Sequence, residues 1–191
     1  MVITRQLPSS ALAARASLFP PGSLMLHGII LARHADRLAT AERGDFASEV
    51  RSFFGSGVQL QELYLSPGLL TKENWDDLAA AAKWARGNAD VLKDAPWIGG
   101  DPARLEVYGW AAWSPQKGMV TLRNPSAHPA RFVLEPGSAF ELPAGRRGWF
   151  RVTGAYADAA APVEQWEVGR MTEIRLQPFQ VLVLEARPLA K

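Results

Sequence analysis

The chain has 191 residues, of which 48% are apolar and 21% are charged, and its mean hydropathy is −0.07. This composition is typical of a folded globular protein and excludes an intrinsically disordered chain. The 21 basic and 19 acidic residues leave a formal charge of +2. No basic run reaches five or six residues, so we expect no nucleic-acid partner. The absence of cysteine excludes disulfides, cysteine–zinc sites and thiol nucleophiles.

No apolar stretch reaches about 18 residues, so the sequence predicts no membrane-spanning helix and no membrane partner. The first 22 residues contain an early arginine but no continuous apolar region, so no signal peptide is predicted. The cellular compartment of the protein therefore stays open.

Helix-like and strand-like segments alternate in the first half of the chain. Residues 24–31 are nearly all apolar, which predicts a strand covered on both faces, and residues 58–65 predict a second strand. Between them, residues 45–54 predict a short helix. Thr71 is a natural N-cap for the longest helix, predicted over residues 72–92, with a bend at Gly87 and Asn88.

The longest predicted helix carries apolar residues on two sides. A continuous stripe at helical spacing consists of Trp75, Leu78, Ala79, Ala82, Ala85, Ala89 and Leu92. The other side carries Ala80, Trp84 and Val91. Two apolar sides require two neighbours, so we expect this helix to lie between a sheet and another domain.

After Gly100 the pattern changes to short strands separated by turn residues, which predicts an antiparallel β-sandwich. Residues 105–113 and 119–123 flank a proline-led turn and predict a hairpin. Further strands are predicted at residues 130–134, 139–142, 148–152, 172–176 and 179–185, the last of them central in its sheet. We therefore divide the chain into residues 1–98 and 99–191.

Several segments of the sequence resemble a known family. They are DFASEV (45–50), FFGSG (53–57), LQELY (60–64), WIGGDP (97–102) and VYGWA (107–111). The first four are similar to the late barrel region of α-galactosidase-like (melibiase-like) glycoside hydrolases of bacteria, and the last to the opening of their C-terminal β-sandwich. The resemblance covers most of residues 24–185. Because it consists of core and turn residues, it indicates the family more strongly than a substrate.

The resemblance implies a mixed α/β and all-β fold, in which the last two βα units of a (β/α)8 barrel precede an antiparallel β-sandwich. In that family two carboxylates on the fourth and sixth barrel strands carry out retaining hydrolysis, which needs a separation of about 5 Å. Both strands would lie upstream of Met1, and no Asp or Glu here matches either position. The implied chain is thus the C-terminal portion of a glycoside hydrolase, without catalytic residues and inactive alone.

The resemblance also implies partners. Carbohydrate would bind through the complete barrel, and the missing N-terminal barrel portion, or a second copy of the chain, would pair with the first half. No cofactor is implied. Related enzymes are often exported.

Three residues of the predicted strands are candidates for substrate binding. His27 can donate a hydrogen bond to substrate at a barrel mouth, or be a satisfied core histidine. Glu62 and Tyr64 share one face of their strand near its C-terminal end, which suits contact with a sugar as well as a solvated, ion-paired face. No metal site is predicted, because His34 and Asp36 are too few ligands.

Seven tryptophans are unusual for a chain of this length. Trp97, Trp110 and Trp113 can form a stacking platform for a ligand or act as core anchors. Trp110 and Trp113 are three positions apart in a predicted strand and therefore face opposite sides, so we expect at least one in the core.

Two functions of different class remain open. The first is the C-terminal part of a glycoside hydrolase. The second is a non-catalytic carbohydrate-binding or interaction module built on the β-sandwich. The first is favoured, because a free-standing module has no use for a long helix with two apolar sides.

Overall fold

Three β-sheets and a layer of helices make up the residues that the computed structural model describes, 25–31, 43–157 and 164–189. The elements are, in chain order, β1 (Met25–Leu31), α1 (Arg43–Gly55), β2 (Leu60–Leu65), a 3-10 turn (Pro67–Leu69), α2 (Lys72–Gly87), α3 (Ala89–Leu92), β3 (Trp97–Gly99), a second 3-10 turn (Pro102–Arg104), β4 (Tyr108–Ser114), β5 (Lys117–Arg123), β6 (Ala130–Leu134), α4 (Pro136–Ala139), β7 (Trp149–Gly154), β8 (Glu164–Glu167), β9 (Thr172–Leu176) and β10 (Val181–Pro188).

The first sheet is a parallel pair, β1 and β2, with α1 between them in the chain. Gly28 of β1 lies so close to Phe53 of α1 that a Cβ at this position would overlap the phenyl ring. α1 therefore covers the face of β1 that carries Gly28. A bulge interrupts the register after Gly28, and the extra residue, Ile29, has a positive φ of 53°.

The N-terminus of α2 is fixed by a capping box. Thr71 Oγ1 accepts a hydrogen bond from Asn74 N at 3.3 Å, and Asn74 Oδ1 accepts one from Thr71 N at 3.1 Å. The predicted N-cap is therefore confirmed. The predicted bend is a break, because α2 ends at Gly87 and Asn88 bonds back to Trp84 O at 2.8 Å before α3 begins.

The predicted apolar stripe of α2 is confirmed in part, because Leu78 is buried and Ala82 and Ala85 pack against the core beneath the helix. Trp75 and Ala79 are exposed, whereas the buried residues of this helix are Asn74, Leu78 and Ala81. The buried face is thus shifted toward Asn74 and Ala81 but still includes Leu78, Ala82 and Ala85. Because alanines occur on both sides of this helix, the sequence does not define which side faces the core. The packing of α1 against α2 determines the buried side.

The largest sheet has six antiparallel strands in the order β3-β4-β5-β10-β7-β8. The prediction that residues 179–185 form a central strand is confirmed, since β10 lies between β5 and β7. The antiparallel pair β6–β9 forms the third sheet. The predicted antiparallel β fold of the second half is therefore confirmed.

Both faces of the six-stranded sheet are covered over β4 and β5. On one face, side chains of α1 and α3 form a helix-side core with Tyr108, Trp110 and Met119. On the other face, Val120 and Leu122 pack with β6, β9 and α4 in a sandwich core. The helix-side core joins residues from both sides of the predicted division at 98/99, and the division itself stays a prediction.

One predicted strand is wrong. Residues 139–142 do not form a strand, because the short helix α4 occupies 136–139 and Glu141 has a positive φ of 49°. The Glu135 carboxylate caps this helix, accepting hydrogen bonds from Gly137 N at 2.6 Å and Ser138 N at 2.7 Å. The short strands β3 and β8 were not predicted.

Candidate functional site

The candidate residue Tyr64 is next to the last residue of β2, and Glu62 lies in the middle of the strand. The register places Leu31 opposite Leu65, so the parallel strands β1 and β2 end level with each other. His27 is the Cα partner of Glu62, so the backbone brings two of the three candidates into adjacent positions. The side chain of His27 lies outside the described residues.

Glu62 and Tyr64 occupy the face of β2 that points away from α1. Leu63 pairs with Gly28, whose face is covered by α1, and neighbours along a strand point to opposite faces. Glu62 is exposed and Tyr64 is partly buried. The structure therefore brings both side chains to one surface, as the alternation predicted.

The two side chains are linked by a hydrogen bond. Burial, the hydrogen bond to Glu62 and the negative charge of that carboxylate together raise the pKa of the Tyr64 phenol above its ordinary value of 10.0. The phenol therefore stays protonated at neutral pH and donates. The pair presents carboxylate acceptors and an aromatic face side by side, which suits the hydroxyls and the apolar ring face of a sugar.

The described residues hold no group of three or more His, Cys, Asp or Glu side chains that could bind a metal ion. His34 and Asp36 lie outside the described residues. No helix within the described ranges is long and apolar enough to cross a membrane.

The three tryptophans discussed above pack against neighbours. Trp97 stacks on Tyr108 with ring centroids 5.0 Å apart and meets Trp110 edge-on at 5.5 Å. Trp110 is 2% exposed in the helix-side core, while Trp113 packs against the sandwich core on the opposite face. The predicted opposite orientation is confirmed, and these rings do not form one platform.

A groove of about 260 Å³ lies at the other end of β2, away from Tyr64. Its wall includes Gln59, Gln61 and the α2 residues Ala82, Ala85 and Arg86. The groove therefore lies on the helix side of β2 near its first residues and does not include Glu62 or Tyr64.

The fold is similar to those of several solved glycoside hydrolases. A β-L-arabinopyranosidase from Geobacillus stearothermophilus is similar over 99% of this chain and 42% of its own, with 9% identity and a TM-score of 0.62. An α-galactosidase from Saccharomyces cerevisiae is similar over 78% and 44%, with 6% identity and a TM-score of 0.59. An α-amylase from Anoxybacillus is similar over 99% and 42%, with 11% identity and a TM-score of 0.54.

These likenesses establish the fold. The chain spans less than half the length of each of these enzymes. The resemblance to α-galactosidases is thus confirmed in three dimensions, and the fold is similar to those of other glycoside hydrolases as well. No protein-family model matches the sequence, and no curated protein is similar enough to match it.

Proposed function

We propose that this chain is the C-terminal part of a glycoside hydrolase. In this proposal β1, α1, β2 and α2 are the last two βα units of a (β/α)8 barrel, and residues 99–191 are the β-sandwich that follows it. The nucleophile and the acid/base that carry out retaining hydrolysis belong to earlier barrel strands, and the chain is inactive alone.

The observation that carries the proposal is the open parallel pair. Parallel sheets are normally covered on both faces and extended by further strands. In β2, however, Leu60 is 62% exposed and Leu63 is also exposed. Neither β1 nor β2 pairs with any other strand of the described residues. A barrel that continues on both edges of this pair would cover these leucines and provide hydrogen-bond partners for the unpaired backbone edges of both strands.

Within such a barrel, His27, Glu62 and Tyr64 would contribute to the carbohydrate site. Parallel barrels place their active sites at the C-terminal ends of the strands. Tyr64 is next to the last residue of β2 and Glu62 precedes it by two residues, and both are on the face that the helices leave uncovered. They would bind and orient sugar hydroxyls, while the chemistry is done by the two carboxylates of the other strands.

The open pair also weighs against a free-standing binding module. A two-stranded sheet is marginally stable by itself, and exposed leucines on it favour association, so neither suits a free-standing module. Both are expected where the remaining strands of a barrel are missing.

The test joins this chain to its own upstream coding region, in which we expect six further βα units. The joined protein should hydrolyse an aryl α-galactoside with retention of configuration, and the 191-residue chain alone should give no turnover. Glu62→Gln and Tyr64→Phe should each raise KM at least tenfold, while Asp76→Asn, on the exposed side of α2, should not change it. Turnover by the chain alone would contradict the proposal.

A further inference from the structure

Part of the six-stranded sheet faces solvent beyond the edge of the helix layer. In β7, Trp149 and Arg151 are exposed and alternate with Phe150 and Val152, which lie in the sandwich core. The helices contact β4, β5 and β10 on this side. The outward face of β7 and β8 therefore carries side chains that the sandwich core does not use.

The strand register gathers five side chains on this face. Trp149 is opposite Glu167, and Arg151 is opposite both Gln165 on β8 and Arg187 on β10. Directly paired residues of an antiparallel sheet point to the same face, with Cβ atoms about 5 Å apart. We call Trp149, Arg151, Gln165, Glu167 and Arg187 the sheet platform.

Trp149 is the aromatic side chain of the platform and lies at one end of it. It is 41% exposed, which is unusual for a side chain that contributes most when it is buried. Leu189, also exposed, follows β10 and donates its backbone N–H to Trp149 O at 2.8 Å. The indole is thus set in a rigid strand with polar side chains on one flank.

Four charges on and beside the platform form two ion pairs. Arg187 pairs with Glu185 at 3.4 Å, and Arg170 approaches Glu167 at 3.9 Å. Within the described part of the chain Arg151 forms no ion pair, so one guanidinium is left to bind a ligand. A polyanion would therefore find a single unpaired cation here, whereas an uncharged ligand can use the hydrogen-bond donors and acceptors of all the polar side chains of the platform.

We propose that the sheet platform binds a neutral oligosaccharide. The indole of Trp149 stacks on the apolar C–H face of one pyranose ring. The Arg151 guanidinium donates two hydrogen bonds to neighbouring hydroxyls, and Glu167 and Gln165 accept hydrogen bonds from others. Side chains about 5 Å apart across strands and about 7 Å apart along them span two sugar rings.

This site lies on a sheet face and not at strand ends, so it goes beyond the proposed hydrolase function and does not depend on it. The site binds the oligosaccharide without cleaving it. The structure gives it a matched control, because Trp75 of α2 is 44% exposed and is not part of the platform.

The test is native gel electrophoresis of the full chain in gels that contain galactomannan, soluble starch or polygalacturonic acid. We expect galactomannan or starch to retard the wild-type chain. Trp149→Ala should weaken the interaction at least tenfold and Arg151→Gln about as much, while Trp149→Phe keeps part of it. Trp75→Ala should be retarded like the wild type.

Other results would overturn the proposal. These are no retardation by either neutral polysaccharide, retardation by polygalacturonic acid alone, or an equal loss in Trp75→Ala and Trp149→Ala. Retardation abolished by Glu62→Gln but not by Trp149→Ala would place the sugar at the strand ends, which supports the hydrolase proposal and contradicts this one.

Discussion

Glu49 of α1 forms an ion pair with Arg123 at the end of β5, and only 7% of the Arg123 side chain is exposed. The pair crosses from the helix layer to the six-stranded sheet. A second polar contact crosses the same boundary, where Trp84 Nε1 donates to Glu185 Oε1 at 3.0 Å. The helices are therefore fixed to the sheet by specific directional bonds as well as by the helix-side core.

Removal of the Glu49 carboxylate should destabilise the protein. Glu49→Ala deprives a buried guanidinium of its counter-charge, and we expect a loss of about 3 kcal/mol in the free energy of unfolding. Glu49→Gln keeps a hydrogen-bond acceptor and should lose less. Urea unfolding followed by tryptophan fluorescence measures both. Asp76→Ala, which breaks the exposed pair between Lys72 and Asp76, serves as the control and should leave the midpoint unchanged.

Gly55 should tolerate no side chain because α1 ends against β5. A Cβ at this position would lie 2.9 Å from Thr121 Cγ2, and closer still to Thr121 Oγ1. We expect Gly55→Ala to cost about 2 kcal/mol of unfolding free energy. The cost should fall in a Thr121→Ala background, because the clashing atoms are gone, and a double-mutant cycle measures this coupling.

Gly87, at the end of α2, provides the opposite control. A Cβ there would meet no atom within 4 Å. Gly87→Ala should therefore stabilise the chain by about 0.5 kcal/mol, by reducing the conformational freedom of the unfolded state. Equal destabilisation by both alanines would contradict the steric explanation for Gly55.

Stability should fall in acid partly through Glu135. Burial acts to raise the pKa of this carboxyl, but hydrogen bonds from Gly169 N, Gly137 N and Ser138 outweigh burial and hold the pKa below its ordinary value of 4.5. A carboxyl whose pKa is lower in the folded state stabilises that state fully above pH 4.5, and the contribution is lost as the pH falls through the folded pKa.

The expected outcome is a pH-dependent difference between two chains. Glu135→Gln should unfold at lower urea than the wild type at pH 7, and the two midpoints should converge as the pH drops below about 4. A difference that stays constant from pH 7 to pH 3 would show that the carboxylate charge is not involved.

The exposed leucines of β2 should make the isolated chain associate. Leu60 and Leu63 lie beside an unpaired strand edge of the described structure, and such edges pair with other chains. Sedimentation velocity should reveal dimers or larger species, and Leu60→Lys with Leu63→Lys should shift them toward monomer. Met171→Lys, which replaces an exposed apolar residue directly before β9, should not. A wild-type chain that is monomeric at high concentration would contradict this prediction.

Elements with strong local signals could be predicted from the sequence. Strands β6 and β9 were predicted with their observed bounds, because turn residues flank each of them. The Thr71 cap and the central position of β10 also follow from local chemistry and an uninterrupted apolar run.

Features that depend on distant contacts could not be predicted. Glu135 receives a hydrogen bond from Gly169 N, 34 residues away. The short helix α4 does carry a local signal, Glu135 followed by Pro136 at the first helical position, but the apolar alternation of residues 139–142 led to a strand prediction instead. Of the candidate site, the common face of Glu62 and Tyr64 was predictable from alternation. The pairing of His27 with Glu62 was not, because it depends on the strand register. The exposure of Trp149 could have been predicted, because Trp149 and Arg151 alternate with the apolar residues Phe150 and Val152 in a predicted strand. The total number of tryptophans does not show this.

The central place of β10 has a consequence for the order of folding. β5 and β7 both pair with β10 and not with each other, so until residues 181–188 are synthesised the β4–β5 and β7–β8 hairpins are separate pieces. Their union closes long loops and should be slow relative to hairpin formation. During biosynthesis one edge of β5 and one edge of β7 stay unpaired until this last strand is made, and in that interval a nascent chain is most exposed to chaperones and to aggregation.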